Sequence, residues 1–249
     1  MQNTDLISVV IPAYNASSTI EQAIDSVLKQ DVSFEILVID DGSSDGLEQV
    51  MACYRDDNRI IYLKNETNLG PSETRNRGVR EANGNYIAFL DADDYWADGK
   101  LIKQYQLLKE KNMVLCATGR ALITHDGASM NRNIPVKEII TYEDMLHQNW
   151  INNSSVLVKK DVLSEFPMEA DDVHEDYLLW LKVLKKYKQV CAINEPLLFY
   201  RMSKNSKSGS KWKSARMTYQ TYRKLGMNRL QALKCFVSYA LAGIKKYYG

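Results

Sequence analysis

The sequence predicts an α/β fold in which a mostly parallel sheet is covered by helices. Strand-like and helix-like segments alternate through the first 90 residues. Apolar runs such as Ile7–Ile11 and Phe34–Ile39 are typical of buried parallel strands. Polar clusters end the first, second and fourth strand-like runs, with the sequences PAYN, DDGSSDG and DADD. Because ligands bind beyond the carboxyl ends of parallel strands, the three clusters predict one binding rim.

The other elements of the first half follow from local signals. Ser18 and Glu21 have the spacing of a capping box, and apolar residues from Ile20 onward line one helical face. The remaining expected elements are a helix to about Tyr54, a strand at Ile60–Leu63, a helix at Pro71–Ala82 with proline in its first turn, and a strand at Tyr86–Leu90.

The second half is less regular. We expect a helix at Leu101–Lys111, a strand at Ser154–Lys159, an amphipathic helix from His174, short strands at Val190–Ile193 and Leu197–Tyr200, a basic loop at Ser203–Lys211, and two final helices broken near Gly226.

Composition excludes several classes of protein. The net charge of +1 carries no signal for nucleic-acid binding, but residues 200–249 hold 12 Lys/Arg and no Asp/Glu. This basic tail suggests an anionic partner such as phosphate or lipid. The four cysteines are scattered, no signal peptide is visible, and no segment reaches the length of a membrane span. We therefore expect a cytoplasmic protein.

The segment YIAFLDADDYW, residues 86–96, raises an electrostatic question. Asp91, Asp93 and Asp94 repel one another unless a cation or hydrogen-bond donors occupy the cluster. A solvated turn is one explanation. A strand end at the rim, followed by Tyr95 and Trp96 as possible pocket walls, favours another. Mg²⁺ and Mn²⁺ prefer one or two carboxylates together with substrate phosphates.

The other two clusters also have two explanations each. Asp40 to Asp45 includes residues typical of a helix N-cap. At the rim, however, the Asp41 carboxylate can accept a hydrogen bond from a nucleobase. Pro12 supplies a rigid turn, and Tyr14 supplies a ring for stacking on that base.

Taken together, these motifs resemble one enzyme family. VVIPAYN, ILVIDDGSSDG, NLGPSETRNRGV and GNYIAFLDADD have the order and spacing of family 2 glycosyltransferases with the GT-A fold, which is Rossmann-like. HEDYLLWLKVL is similar to the family's ED helix, and LLFYR is similar to its closing strand. The resemblance covers about residues 6–201. It implies a GT-A domain at 1–210, with a nucleotide-sugar half to about 112 and an acceptor half from 113, and basic helices at 211–249.

The resemblance also implies roles for particular residues. Asp93 would bind the divalent cation, Mn²⁺ or Mg²⁺. Asp176 would be the catalytic base, with Glu175 positioning the acceptor, although carboxylates are also common at a helix start. The nucleotide-sugar site would comprise Pro12, Tyr14, Asn15, Asp41, Asp91, Asp94 and Arg201, with Asp94 supporting the cation or contacting the sugar. Arg75 and Asn76, in TRNRG, would brace the loop behind the nucleotide, and the arginines of this segment have a solvated helix face as their alternative.

One departure from the family pattern is visible. Family members often carry a histidine soon after the Tyr-Arg pair, whereas this chain has Met202 and Ser203. We expect Arg201, Lys204 and Lys207 to neutralise phosphate instead, with a flexible linker as the alternative.

The last helix has apolar residues at Leu230, Leu233, Val237, Leu241 and Ile244, flanked by lysines. This face either packs on the enzyme body or lies on anionic lipid, where Trp212, Tyr247 and Tyr248 would suit the interface.

The sequence therefore predicts a metal-dependent inverting glycosyltransferase. It would move a sugar from a UDP-sugar to an acceptor, either a glycan or a lipid-linked saccharide, during cell-surface polysaccharide synthesis. Two alternatives stay open at this point. A sugar nucleotidyltransferase would need a Gly-rich basic loop after the first strand, which PAYNASS lacks. A non-catalytic binding subunit would have lost its carboxylates.

Overall fold

The computed structural model describes residues 5–169, 172–202 and 211–248, with the side chains of 211 and 243–248 outside that description. Ten strands within these ranges form one sheet. Helices pack on both of its faces. The predicted α/β class, with a mostly parallel central sheet and C-terminal helices, is confirmed. The basic loop residues Lys204 and Lys207, and the side chains of Ile244, Tyr247 and Tyr248, lie outside the description.

The first half follows the predicted order closely. Strands β1 to β4 pair in parallel in the order β3-β2-β1-β4. Successive side chains alternate between two apolar layers, so that Val10 faces one layer and Ile11 the other. The elements are β1 Ile7–Ala13, α1 Ile20–Leu28, β2 Phe34–Asp40, α2 Leu47–Met51, β3 Ile60–Lys64, α3 Pro71–Glu81 and β4 Tyr86–Phe89.

The sheet continues into the second half through antiparallel pairs. Strand β9 joins β4 to β6, and β6 then pairs in parallel with β10. The elements are β5 Tyr95–Trp96, α4 Lys100–Lys111, β6 Leu115–Ile123, β7 Ser129–Ile134, β8 Ile139–Thr141, α5 Tyr142–His147, β9 Leu157–Lys159, α6 Lys160–Glu165, α7 Glu175–Tyr187, β10 Gln189–Arg201, α8 Lys211–Lys224 and α9 Arg229–Tyr248.

Two local predictions were wrong. Helix α1 begins after Thr19 without a side-chain cap, because the chain enters the helix through a turn in which the Thr19 amide donates to the carbonyl of Ala16. A capping box forms instead at Thr141 and Asp144, on α5, which the sequence analysis missed. The two short strands around Pro196 are one strand, β10, whose register shifts at Pro196. Proline is tolerated at such an irregularity because it has no N–H to donate.

The C-terminal hairpin of α8 and α9 packs on the body through a face that was not predicted. Tyr222 is fully buried and donates a hydrogen bond to the carbonyl of Leu146, at 2.8 Å. Ala232 of α9 is also fully buried, and Cys235, Phe236 and Tyr239 pack against the same core. The predicted apolar face, in contrast, is exposed at Leu230, Leu233, Val237 and Leu241. The prediction that these four residues pack on the enzyme body is therefore wrong.

The closest approach of a helix to the sheet occurs at Gly78 in α3. A Cβ atom at this position would lie 2.3 Å from Cγ1 of Val10 on β1. We expect Gly78→Ala to lower the free energy of unfolding by about 1–3 kcal/mol, because the extra methyl overpacks a buried contact. Chemical denaturation measures this loss.

Two further variants control this experiment. Glu81 lies on the exposed surface of the same helix. Glu81→Ala should therefore leave the free energy of unfolding nearly unchanged. Val10→Ala combined with Gly78→Ala should cost less than the sum of the two single changes, because it removes the clashing methyl groups. Strict additivity would contradict the proposed clash.

Candidate active site

The loops after β1 and β2 are tied into one wall. The Asn15 amide donates to the Ser43 hydroxyl at 2.9 Å, and the Asn15 side-chain oxygen accepts from the Ser44 amide at 2.9 Å. Asn15 holds these bonds with a φ of 50°, a left-handed conformation that asparagine tolerates better than most residues. The neighbouring Tyr14 ring is 55% exposed. Its face is thus available for stacking at the cleft.

Asp41 lies at this wall, but most of its acceptor capacity is already used. One carboxylate oxygen accepts from the Asn65 side chain at 2.7 Å and from the Leu69 amide at 2.8 Å, and the other accepts from the Gly70 amide at 2.9 Å. Only 4% of the residue is exposed. Asp41 therefore holds the loop before α3, and its predicted contact with a nucleobase would have to use a remaining lone pair.

Arg75, on α3, connects the two halves of the site. Its guanidinium donates to the Asp91 carboxylate at 2.7 Å and to the Glu175 carboxylate at 3.3 Å. Burial by itself lowers the pKa of Arg75, but Asp91 and Glu175 outweigh burial and raise that pKa above its ordinary value. The side chain is not on a solvated helix face. It is a buried cation between two carboxylates that are 84 positions apart in the sequence.

The three carboxylates of the DADD turn have different surroundings. Asp91 pairs with Arg75, as described above. Asp94 is 2% exposed and accepts from the Arg201 amide at 2.9 Å, with its second oxygen buried and unpaired. Burial raises the pKa of Asp94 well above its ordinary value. Asp94 is not among the residues that line the cleft, and its contact with cation or sugar stays a prediction.

Asp93 is the member of the turn that lines the cleft together with Asp91. Burial, followed by the charge of Asp91, raises the pKa of Asp93. The Asp93 carboxylate is therefore less stable as an anion than it would be in water. A cation bound beside Asp93 would stabilise the carboxylate anion and so oppose this rise in the pKa of Asp93.

Arg201 fastens the Asp93 turn to two other segments. Its guanidinium donates to the Asp93 carbonyl at 2.7 Å, to the His125 carbonyl at 3.0 Å and to the Gln22 side chain at 2.6 Å. The residue is 7% exposed. Although Arg201 lines the cleft, three of its donor groups are engaged by protein oxygens. Its main visible role is to hold the turn, and phosphate binding by its remaining N–H groups stays a prediction.

Helix α7 presents Glu175 and Asp176 at its first turn. Glu175 is held by Arg75, whereas Asp176 accepts from the Tyr177 amide at 2.7 Å. Burial and the charge of Glu175 raise the pKa of Asp176 to about 6, against the opposing influence of His174 and Arg75. A carboxylate with a pKa near 6 is ionised at neutral pH and is more basic than an ordinary aspartate.

Three residues from the sequence analysis lie outside the lining of the cleft. Asn76 exchanges two hydrogen bonds with the backbone of Met168, both at 2.9 Å, and braces the segment that leads towards α7. It does not line the cleft. Trp96 is 3% exposed and donates its indole N–H to the Ser154 carbonyl. Tyr95 stacks on Phe199 with centroids 4.5 Å apart. Trp96 and Tyr95 border a separate pocket and do not line the cleft that holds Asp93.

These elements surround one cleft of about 880 Å³. That volume is in the range of small-molecule sites and accommodates a ligand of nucleotide-sugar size. Pro12 and Tyr14 line one side of it, as predicted. Sequence analysis missed several lining residues, because nothing in their local sequence distinguishes them from ordinary loop or helix residues: Gln22, Asn68, Thr74, His125 and Asp126.

The charges around the cleft are suited to a hard divalent cation. Asp91 and Asp93 line the cleft together with Arg75 and the largely engaged Arg201. Glu175 and Asp176 lie beyond Arg75 and are not among the lining residues. Within the described part of the chain, no three His, Cys, Asp or Glu side chains converge as a complete metal cage. Mg²⁺ and Mn²⁺ use one or two carboxylates with substrate phosphates and water. Asp93, with Asp91 beside it, fits that ligand set.

The raised pKa of Asp176 has a consequence for stability. Because the folded-state pKa of about 6 exceeds the ordinary value of 3.8, the folded chain binds this proton more tightly than the unfolded chain. Ionisation of Asp176 therefore destabilises the folded chain, and this destabilisation grows from about pH 4 to above pH 6. We expect Asp176→Asn to raise the free energy of unfolding at pH 8 by on the order of 2 kcal/mol.

Urea denaturation of the two proteins at pH 8 and at pH 4 measures this effect. The difference between them should shrink at pH 4, where Asp176 is protonated in the folded chain and only partly ionised in the unfolded chain. Asp98→Asn, at an exposed position, is the control and should change little at either pH. Equal stability of Asp176→Asn and the natural chain at pH 8 would contradict the interpretation.

Residues 8–159 match the family model described as Glycosyl transferase family 2. Over 97% of both chains, the protein is 35% identical to the putative teichuronic acid biosynthesis glycosyltransferase TuaG of Bacillus subtilis. It is also 34% identical to the Escherichia coli enzyme WfgD, a UDP-Glc:α-D-GlcNAc-diphosphoundecaprenol β-1,3-glucosyltransferase, over 97% of this chain and 95% of WfgD.

Solved structures agree on the fold. The S. aureus enzyme TarS, crystallised with UDP-GlcNAc, superimposes with a TM-score of 0.74 at 18% identity, over 96% of this chain and 72% of that one. The mannosyltransferase PcManGT of Pyrobaculum calidifontis, in complex with GDP-Man and Mn²⁺, gives 0.68 at 15% identity, over 100% of this chain and 77% of that one. The chain therefore belongs to glycosyltransferase family 2, and it is a glycosyltransferase with the GT-A fold.

Proposed function

We propose that the protein is a divalent-cation-dependent inverting glycosyltransferase that moves a sugar from a UDP-sugar to a saccharide acceptor. The observation that carries this proposal is the bridge made by Arg75. It joins Asp91, next to the proposed cation ligand Asp93, to Glu175, next to the proposed base Asp176. The bridge thus links the cleft, which Asp91 and Asp93 line, to the start of α7, where Glu175 and Asp176 lie outside the cleft lining. Sugar transfer needs a donor-binding group and a proton acceptor near each other, and the bridge supports that arrangement.

The donor would lie along the strand ends. Tyr14 would stack on the nucleobase, and a free lone pair of Asp41 would accept a base N–H. Asp91 would face the ribose, and Asp93 would bind Mn²⁺ or Mg²⁺. That cation would neutralise charge on the leaving diphosphate. The choice of uridine is supported by relatives, since WfgD is named as using UDP-Glc and TarS was crystallised with UDP-GlcNAc.

Asp176 would act as the general base. It would remove the proton from an acceptor hydroxyl while that oxygen attacks the anomeric carbon and the bond from that carbon to the diphosphate oxygen breaks. Attack from the opposite side inverts the anomeric centre. Glu175 is held by Arg75 at 3.3 Å and therefore suits positioning better than proton transfer. Neighbouring helical residues also point about 100° apart, so a single base is expected.

The acceptor would be a saccharide on a lipid diphosphate, used in cell-surface polysaccharide synthesis. This proposal is supported by the name of WfgD, which gives a diphosphoundecaprenol-linked GlcNAc as its acceptor, and by the name of TuaG as a putative teichuronic acid biosynthesis glycosyltransferase. The described helices include none that is long and apolar enough to cross a membrane. We propose that the protein acts as a peripheral protein at the cytoplasmic face of the membrane, where such an acceptor would be presented.

Donor identity and cation dependence can be tested by thermal shift with UDP-, GDP- and TDP-sugars, each with and without Mn²⁺. A ligand at 100 times its Kd stabilises the fold by about 2.7 kcal/mol, so the true donor should stand apart from the others. Asp93→Ala should lose the Mn²⁺-dependent part of the shift, and Asp98→Ala should retain it. If no nucleotide binds and no UDP-sugar is hydrolysed, a non-catalytic subunit is favoured instead.

The base can be tested by the pH dependence of transfer. Because the pKa of Asp176 is about 6, kcat/KM should fall as the pH drops through 6. Asp176→Asn should lower kcat by a factor of 10² or more while UDP binding is retained. Glu175→Gln is the comparison variant; it should retain an acidic limb, shifted to lower pH because the charge of Glu175 contributes to the raised pKa of Asp176. Transfer by Asp176→Asn at the natural rate would refute the assignment.

A further inference from the structure

The outward face of helix α9 is unusually apolar. Leu230 is 80% exposed, Leu233 51%, Val237 49% and Leu241 63%. Their spacing of three, four and four residues puts all four on one side of the helix. Together they form a row that runs along most of the described side chains of α9. We call this row, with Arg229 and Lys234, the α9 face.

The α9 face is not needed to attach the helix to the protein. The opposite side of α9 does this through the buried Ala232 and through Ser238, whose hydroxyl lies 2.7 Å from Nδ1 of His147 on α5. Helix α8 adds the buried Tyr222, which contacts Tyr177 of α7 at 3.0 Å between hydroxyls. The exposed row therefore has no packing role within the described chain. Such rows of large apolar side chains mark a surface that another body covers.

Charge identifies the chemistry of that body. Residues 211–248 contain no Asp or Glu. Arg229 and Lys234 are exposed on α9 among the leucines, and Trp212, at the start of α8, is 89% exposed. An apolar row with cations beside it suits an anionic lipid surface. A symmetric contact with a second copy would instead bring the same cations of both chains towards one another.

The hairpin is also connected directly to the catalytic helix. Nε2 of His174, the residue immediately before Glu175 and Asp176, lies 3.2 Å from the carbonyl of Ser214 on α8. Trp212 is two residues from Ser214 in the same helix. A body bound at the hairpin would therefore be connected through this contact to the start of α7, where Asp176 lies.

We infer that the α9 face docks on an anionic bilayer surface and sets the acceptor end of the cleft towards the lipid headgroups. This inference rests on the proposed function, because it gives a lipid-linked acceptor a short path to Asp176. The apolar row would enter the boundary between headgroups and acyl chains, and Arg229 and Lys234 would contact lipid phosphates. No span of the bilayer is required.

Vesicle sedimentation tests the inference. Full-length protein is mixed with vesicles of phosphatidylglycerol and phosphatidylcholine, or of phosphatidylcholine alone. We expect binding to the anionic vesicles that weakens at least tenfold in the triple variant Leu230→Gln, Leu233→Gln, Leu241→Gln, and also in Arg229→Gln with Lys234→Gln. Met130→Gln with Ile139→Gln is the matched control, because both residues are exposed apolar side chains on β7 and β8. The control should bind normally.

Three outcomes would overturn the inference: no binding to anionic vesicles, undiminished binding by the triple variant, or a concentration-dependent dimer that the triple variant abolishes. Thermal unfolding checks that each variant is folded. UDP-sugar hydrolysis in the absence of vesicles reports on the donor site separately, and the triple variant should retain it. If the natural chain binds anionic vesicles but does not hydrolyse UDP-sugars, the proposed function alone is refuted. If the natural chain hydrolyses UDP-sugars but does not bind the vesicles, the docking surface alone is refuted.

Discussion

The guanidinium of Arg75 is the contact on which the arrangement of the cleft depends. It is buried between Asp91, at the end of β4, and Glu175, at the start of α7. Without this cation, two carboxylates from distant parts of the chain would face each other in a poorly solvated space, which is strongly unfavourable. Removal of one partner from a buried pair commonly costs several kcal/mol. The ion bridge therefore sets the position of helix α7 relative to the sheet.

Around that bridge, polar residues divide into two groups according to their hydrogen bonds. Asp41 and Arg201 are largely engaged by protein donors or acceptors, and they hold loops in place. Asp93 and Asp176 have few such partners, and burial raises the pKa of each. Groups that the fold leaves unsatisfied are the ones available to a ligand. A preorganised frame around unsatisfied carboxylates is a common property of catalytic sites, which accept lower stability for function.

The same reasoning applies to the molecular surface. Exposed leucines on α9 and desolvated carboxylates in the cleft are both unfavourable in the isolated chain, for opposite reasons: one set lacks an apolar neighbour, and the other lacks a cation. Each set implies a partner of complementary chemistry. The contact between His174 and Ser214 connects helix α8 of the C-terminal hairpin to the start of α7.

The sequence by itself determined the α/β class, the order of the first four strands and the rim at their ends, because apolar period and polar strand ends are local signals. It also singled out Asp93 and Asp176 as candidates for chemistry. Only the tertiary structure decided which carboxylates are free. The roles of Asp94, Asn76 and Trp96 depend on partners 58 to 107 positions away. The same holds for α9, where periodicity predicted an apolar face but could not show that the opposite side is buried. Burial and pairing come from long-range packing, which no local pattern encodes.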